Sequence, residues 1–366
     1  MKALIICPAF CNQSETFIYA MQEKLKDFQV SVLCYDRRNA DVFPFDASRI
    51  TTLRGRPVQE YLISQGWSSG GSPEPDIIHA QYTLSAKLAY GIKKYFGNRP
   101  KVILHVHGQD FYVPYKQGRL SFLRKAIRGA DLILTPSIYV KQRIQNAFPE
   151  RQSIEAYYTA INEADYPYSG PPALTKEISI LMVGRLVEKK GYLTALQALA
   201  QLPVEYKLKI IGQGPLREKL DSLVNVLGLA ARVQFCTVKE NTDVRKMFLA
   251  SHIFWAPSEV AANGDEEGLP RTVTEALALG IAVIGTTHAG IPEAIIHKKT
   301  GLLCPEKDPQ ALALATLWAI KNWPEMVKYA EFGRQHFAAV FGIHRQNTLA
   351  PKYPEPIKSF LKNLES

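Results

Sequence analysis

Short runs of Ile, Leu and Val alternate along the chain with longer stretches of helical period. "ALIIC" (3–7), "VSVLCY" (30–35), "DIIHA" (76–80), "VILHVH" (102–107) and "LILTPS" (132–137) are apolar enough to be strands covered on both faces. Between them, "SETFIYAMQEKLKDF" (14–28) and "SAKLAYGIKKYF" (85–96) repeat apolar positions as helices do. This order predicts right-handed βαβ units around a parallel sheet.

The pattern pauses at "YPYSGPPALTKE" (166–177), whose prolines and turn formers read as an interdomain linker, and then restarts. "ISILMVG" (178–184), "YKLKIIG" (206–212), "RVQFC" (232–236), "IFWAPS" (253–258) and "AVIGT" (282–286) supply a second strand series. Two Rossmann-like domains are therefore expected, 1–168 and 169–340. A tail, 341–366, ends in a short amphipathic helix expected to pack back on the first domain. "SQGWSSGGSPEPD" (64–76) reads as a mobile loop.

Length and composition agree with two packed cores, because 366 residues with 46% apolar and 21% charged positions describe a globular chain longer than one ordinary domain. Five cysteines without a C-x-x-C, and with no histidine cluster beside them, give neither a disulfide framework nor a zinc site. They read as small apolar packing groups in a reducing cytosol. "MKALIIC" is cut short by Pro8 and reads as a strand rather than a signal peptide, and no run is apolar enough to span a bilayer. The net charge is +10, concentrated between Lys93 and Gln145, where eleven Lys or Arg face only Asp110 and Asp131. A solvated basic face explains this as well as a partner does. Among partners, "FYVPYKQGRLSFLRK" (111–125) sets Tyr, Phe and Leu beside the cations, which favours an anionic membrane surface over nucleic acid. The expected location is cytoplasmic, peripheral at the inner face of the plasma membrane.

Two Rossmann-like halves suggest a nucleotide, yet the dinucleotide fingerprint is missing: "PAFCNQSE" (8–15) follows the first strand, and "GQGPLRE" (212–218) has Arg217 where the third glycine belongs. Other devices are available. "VGRLVEKKG" (183–191) offers Arg185 and Lys190 after a strand, cations suited to a diphosphate, although alone such a pair reads more often as ordinary surface residues. "GDEEGLPRTVTE" (264–275) places Pro270 as the first residue of a helix running to about Leu279 and stopped by Gly280. The free N–H groups of that helix start form an anion site, approached closely at Gly268. Glu267 precedes the helix and Glu275 lies inside it, so the two can flank a ligand and accept hydrogen bonds from vicinal hydroxyls. Asp265 and Glu266 read as partners of the helix dipole or as hinge residues of the loop.

Taken together, "EGLPRTVTE" (267–275), "VGRLVEKKG", "HVHGQD" (105–110), "APS" (256–258) and "GTTHAGIPEAI" (285–295) resemble family 4 of the glycosyltransferases, over nearly the whole chain and in the expected order. "SETFI" (14–18) further resembles the branch that builds bacterial exopolysaccharides of the colanic-acid type. The resemblance implies an α/β GT-B fold, two Rossmann-like domains whose parallel sheets face an interdomain cleft, and retaining, metal-independent hexosyl transfer. The donor would be a nucleotide sugar, UDP-glucose or a similar UDP-hexose, with no cofactor. The acceptor would be a hydroxyl of a glycan or lipid-linked oligosaccharide. By the same resemblance Glu267 would bind the donor hexose, and Gly268, Leu269 and Pro270 would line sugar and phosphates. Glu275 would accept from the ribose, Arg185 and Lys190 would hold the diphosphate, and His107 would face the donor sugar with Asp110 towards the acceptor. Base contacts are expected around Val233 to Val238.

Some positions keep two readings. Ser14 and Glu15 either touch a substrate or, through Asn12 and Glu15, form a helix capping box. His79 is a satisfied structural histidine or an acceptor contact, and His288 and Glu293 read as structural. The first loop lacks the paired glycines that many relatives place against the phosphates. A GDP- or ADP-sugar, a soluble acceptor, or a non-catalytic sugar-nucleotide-binding subunit are the alternatives to the UDP-hexose transferase.

Overall fold

The structure is a computed structural model that describes residues 1–10, 18, 28–40, 45–53, 74–151, 153–236 and 241–343. It divides into one compact unit through Tyr157 and a second from Tyr158.

The first unit is a parallel sheet of β1 (Lys2–Phe10), β2 (Gln29–Arg37), β3 (Ile50–Thr52), β4 (Ile77–Gln81), β5 (Lys101–His105), β6 (Leu132–Thr135) and β7 (Ile154–Ala156) in the order 3-2-1-4-5-6-7. In register, Ile5 of β1 lies beside Val32 on one side and His79 on the other. The expected strands are all present. β3 and β7 are three-residue edge pieces too short to show a pattern in the sequence. Helices α1 (Ala86–Tyr95), α2 (Gln109–Lys116), α3 (Leu120–Arg128) and α4 (Ile138–Ala147) accompany the sheet. The helix expected at 14–28, including its Asn12–Glu15 capping box, and most of the loop at 64–76 lie outside the described residues.

The basic region is less exposed as a field than its composition implied. Helix α3 buries Leu123, Ala126 and Ile127 and leaves Arg124, Lys125 and Arg128 outward. Lys93 pairs with Asp131 at 2.7 Å, Arg124 with Glu150 at 2.6 Å, Lys141 with Glu155 at 3.2 Å, and Arg99 with Glu74. Three of these acids, Glu74, Glu150 and Glu155, come from outside the 93–145 stretch, so the local excess of charge is smaller than a count along the chain gives.

In the second unit β8 (Ile178–Val183), β9 (Tyr206–Ile211), β10 (Val233–Cys236), β11 (Ile253–Ala256), β12 (Ala282–Thr286) and β13 (Leu302–Cys304) form a parallel sheet in the order 10-9-8-11-12-13. Its helices are α5 (Tyr192–Ala200), α6 (Arg217–Val226), α7 (Asn241–Leu249), α8 (Arg271–Leu279), α9 (Ile291–Ala294), α10 (Pro309–Lys321) and α11 (Trp323–Val340). β8 pairs with β9 on one side and β11 on the other, so the chain winds outward in both directions from the β8/β11 neighbours. Ligands of such sheets bind beyond the carboxyl ends of the strands at this switch in winding. That places attention on the loops after β8 and β11.

The expected domain break at 168 and the linker at 166–177 need correction. Tyr158, Ile161 and Tyr166 are buried in the core of the second unit. The following segment is fastened to it, Ser169 N–H to the Leu279 carbonyl at 3.2 Å and the His252 ring to the Ala173 carbonyl at 3.1 Å. Aromatic side chains with a cavity to fill outweigh the turn-forming residues between them. The start of the expected tail also belongs here: Phe341 is buried, and Ile161 N–H donates to its carbonyl at 3.0 Å. Residues beyond 343 lie outside the described chain.

Candidate functional site

The loop after β8 begins at Gly184, whose carbonyl accepts from the Tyr192 hydroxyl at 2.9 Å. A methyl group on Gly184 would come within 3.2 Å of Lys190 Cε, so the absent side chain makes room for the lysine stem. Arg185 follows and is exposed. Glu188–Lys190 makes one 3-10 turn, closed by Gly191 at φ 68°. This turn passes the segment after β11 so closely that a Cβ on Gly191 would sit 1.8 Å from the Pro257 carbonyl oxygen.

Both lysines of the turn reach the acidic loop ahead of α8. Lys190 Nζ lies 2.9 Å from Glu267 Oε1, with the two side chains only 18% and 9% exposed. Lys189 Nζ donates to Asp265 Oδ1 at 3.0 Å and to the Glu266 carbonyl at 3.2 Å. Burial alone would raise the Glu267 carboxyl, but the Lys190 and Lys189 ammoniums outweigh it and hold it down at about 2. For Asp265, burial prevails over Lys189 and its carboxyl is raised. Asp265 is thus an ion-pair partner of Lys189 rather than of the helix dipole, six positions ahead of the helix. No local pattern signals this pair, because its members stand far apart along the chain.

Helix α8 begins one residue later than expected. Pro270, at φ −63° and ψ 120°, is its cap and Arg271 its first residue, while Gly280 at φ 72° ends it as the sequence predicts. No side-chain hydrogen bond caps the helix start and no acid occupies its first turn, so the helix's own residues leave its positive end uncompensated. Gly268 is buried and its carbonyl accepts from Gly290 N–H at 3.0 Å, while Leu269 packs against the core. Inside the helix, Glu275 Oε1 accepts from Arg271 Nε and from the Tyr166 hydroxyl, both at 2.9 Å. Tyr166, with the Arg245 guanidinium 5.2 Å from its ring centre, belongs to this site and was hidden in what read as a linker.

A small hollow beside these groups is lined by Lys190, Tyr192, Ser258, Pro270 and Thr272. The structure therefore gathers Lys190, Glu267, Gly268, Pro270 and the α8 start on one side of the second unit, with Arg185 on the adjoining loop. Of the expected base-contact stretch, β10 is an edge strand with the Arg217 guanidinium 4.1 Å over the Phe235 ring, and residues 237–240 lie outside the described chain. Glu293 takes a 2.6 Å hydrogen bond from the Tyr158 hydroxyl, a structural role.

The first unit carries its own cluster at the ends of β4 and β5. His107 Nε2 lies 2.8 Å from Gln81 Oε1, and its ring stacks on His105 with centres 4.3 Å apart and meets the Tyr82 ring at a tilt of 49° with centres 4.5 Å apart. Burial, and then the nearby His79, push its pKa down to about 3, so the ring is neutral near pH 7. Asp110 accepts the backbone N–H groups of Thr83 at 2.7 Å and His107 at 2.9 Å, tying the two loops together. Burial raises its pKa to about 6, and those N–H groups offset only part of the rise. His79 is 1% exposed and neither ring nitrogen has a partner, so it is neither a satisfied structural histidine nor an exposed contact. Ser14 and Glu15 lie outside the described residues. Among the described residues no group of three or more His, Cys, Asp or Glu is placed to hold a metal, and no helix is long and apolar enough to cross a membrane.

Comparison with known proteins also divides the chain in two, between residues 164 and 170. The profile "Glycosyl transferases group 1" matches residues 170–336, and "Glycosyltransferase Family 4" matches residues 15–164. WcaL of Escherichia coli, named for colanic acid biosynthesis, is 32% identical over 226 residues, 59% of this chain and 54% of the relative. The amylovoran biosynthesis glycosyltransferase AmsK of Erwinia amylovora is 34% identical over 175 residues, 47% of this chain and 43% of the relative. The matches to these two span about half of each relative's length. Anabaena HepE, solved with UDP and glucose, superposes with a TM-score of 0.76 at 17% identity, covering 100% of this chain and 98% of that one. Sucrose-phosphate synthase from Thermosynechococcus elongatus superposes with a TM-score of 0.78 at 18% identity, covering 100% and 98%. With one profile on each half and the GT-B class of fold throughout, this chain belongs to family 4 of the glycosyltransferases.

Proposed function

We propose that the protein is a retaining, metal-independent glycosyltransferase that moves a hexose from a UDP-hexose, UDP-glucose being favoured, to a hydroxyl of a glycan or lipid-linked oligosaccharide in exopolysaccharide biosynthesis. The observation that carries this reading is the Lys190–Glu267 ion pair beside the uncapped start of α8, at the switch in strand winding of the second unit. The names of WcaL and AmsK support the pathway, and the UDP and glucose bound to HepE support the donor.

In this reaction the bond from the sugar C1 to the diphosphate oxygen breaks and a bond from C1 to the acceptor oxygen forms. The acceptor proton passes to the departing phosphate. Arg185, Lys190 and the α8 N–H groups stabilise the charge that develops on that leaving group, so no protein nucleophile and no cofactor beyond the donor are required. Glu267 holds hexose hydroxyls, with Gly268, Leu269 and Pro270 lining the donor, and Glu275 holds the ribose. His107 and Asp110 are assigned to the donor sugar and the acceptor. The outward cations Lys125 and Arg128 of α3, with Leu120 exposed on the same helix, suit an anionic bilayer at the cytoplasmic face and so a membrane-borne acceptor.

Arg185 is the cleanest test because it is exposed, and its loss leaves no buried carboxylate unpaired. Arg185→Ala is expected to keep the wild-type melting temperature and to slow UDP release, with membrane extract as acceptor, by roughly 10²-fold. Undiminished turnover would remove the leaving-group role. Tyr166→Phe keeps the ring and deletes one donor to Glu275. It is expected to cost about 1 kcal/mol of stability and to weaken UDP binding by about three- to tenfold with little change in kcat.

A further inference from the structure

His288 lies on the loop between β12 and α9, 2% exposed, between two elements of the donor side of the site. Its Nε2 is 3.2 Å from the backbone nitrogen of Glu267, which can only donate, so Nε2 must be the unprotonated acceptor. Its Nδ1 is 3.0 Å from Glu306 Oε2 and must therefore carry the hydrogen. Glu306 is itself fixed, since the same oxygen accepts Val260 N–H at 2.7 Å. The chain Val260, Glu306, His288, Glu267 links the two ends of the loop that presents the acidic cluster.

We infer that His288, held in its Nδ1–H tautomer by Glu306, is a positioning residue that sets the Glu267 backbone, and hence its carboxylate, for the donor sugar and releases it on protonation. This rests on the donor reading of Glu267 given above. A proton on Nε2 would set N–H against N–H in a buried contact, and the Glu267 amide would have to turn away. Three carboxylates draw a proton towards the ring: Glu306 from the turn after β13, and Glu267 and Glu266 from the loop before α8. Their attraction for a proton is weaker than the burial that opposes it, so the histidine titrates below its ordinary 6.5. With the folded pKa depressed, the tie is complete at neutral pH and fails as pH falls below 6.5 through the folded value.

The test has two arms. In ligand-free, uniformly ¹⁵N-labelled protein, titrated from about pH 7.5 to about pH 5, His288 is expected to be the Nδ1–H tautomer at the upper end. The Glu267 amide resonance is expected to move with the same midpoint, and an amide that stays still while His288 titrates overturns the inference. In the second arm, UDP-glucose affinity of the wild type is expected to fall about tenfold or more across that midpoint. His288→Gln retains an acceptor oxygen that takes no proton, and is expected to bind with little pH dependence. Glu306→Gln removes the charge that favours protonation, and is expected to move the acid limb down by about one pH unit. An unchanged limb in either variant overturns the inference and leaves the donor reading standing. If the wild type binds no nucleotide sugar, the donor reading fails and the ligand-free arm decides the positioning role alone.

Discussion

Lys190→Ala is expected to lower kcat/KM for sugar transfer by about 10³-fold, the largest catalytic loss of any single substitution in this site. The size follows from two roles held by one ammonium. It is proposed, with Arg185, to hold the diphosphate, and it is the direct partner of Glu267 at 2.9 Å. Removing it leaves a carboxylate only 9% exposed with Lys189 as its remaining cationic support, a change that costs on the order of 3 kcal/mol when a buried pair is broken from one side. A fall in rate could then be blamed on the fold, and the double variant Lys190→Ala/Glu267→Gln separates the two. It discharges the stranded carboxylate, so melting temperature is expected to return towards wild type while turnover does not. The pH dependence carries the same signature. Glu267 titrates at about 2 in the folded protein against an ordinary 4.5, so its contribution to stability is present above 4.5 and is lost as pH falls through about 2. In Lys190→Ala that acid limb is expected to move upward. Turnover within tenfold of wild type would show that the lysine does not serve the leaving group.

Gly191→Ala is expected to destabilise the second unit by about 4 kcal/mol or more, enough to lower soluble yield and to abolish nucleotide-sugar binding. Its backbone is left-handed, φ 68°, which by itself costs an L residue about 1 kcal/mol. The larger part is steric, because the added methyl carbon would fall 1.8 Å from a backbone oxygen, Pro257 O, which no rotamer change relieves. The Pro257 segment must retreat, and with it Glu259, whose N–H donates to the Lys189 carbonyl at 2.9 Å and whose carboxylate takes the Thr194 hydroxyl at 2.7 Å. The loop that carries Asp265 and Glu267 is anchored through those contacts. A Gly191→Ala protein with wild-type melting temperature and turnover would contradict the close approach of these two loops.

Much of the fold was legible because parallel strands buried on both faces leave unbroken apolar runs, as "ALIIC" and "ISILMV" do. Edge strands of three residues, β3, β7 and β13, leave no such trace. In the site, Glu267 and Glu275 could be singled out by their spacing around a Pro-started helix, and Arg185 and Lys190 by their place after a strand. Lys189 and Asp265 could not, since neighbouring residues in a charged run look alike until the turn assigns each a partner. Tyr166 was missed for a related reason. Its local sequence is rich in turn formers, and only the distant Glu275 and Arg271 reveal why the ring and hydroxyl are held. His288 could be seen in the sequence as part of a loop motif, but its role depends on Glu306 and on the Glu267 backbone, contacts that no local pattern encodes.

The central claim is that the second unit binds a nucleotide sugar through Lys190, Glu267, Glu275 and the start of α8. It is tested most directly by calorimetric titration of the protein with UDP-, GDP- and ADP-glucose side by side. The expected result is saturable binding with UDP-glucose the tightest of the three and lost in Glu275→Ala, whereas heats no greater than dilution for all three would contradict the claim.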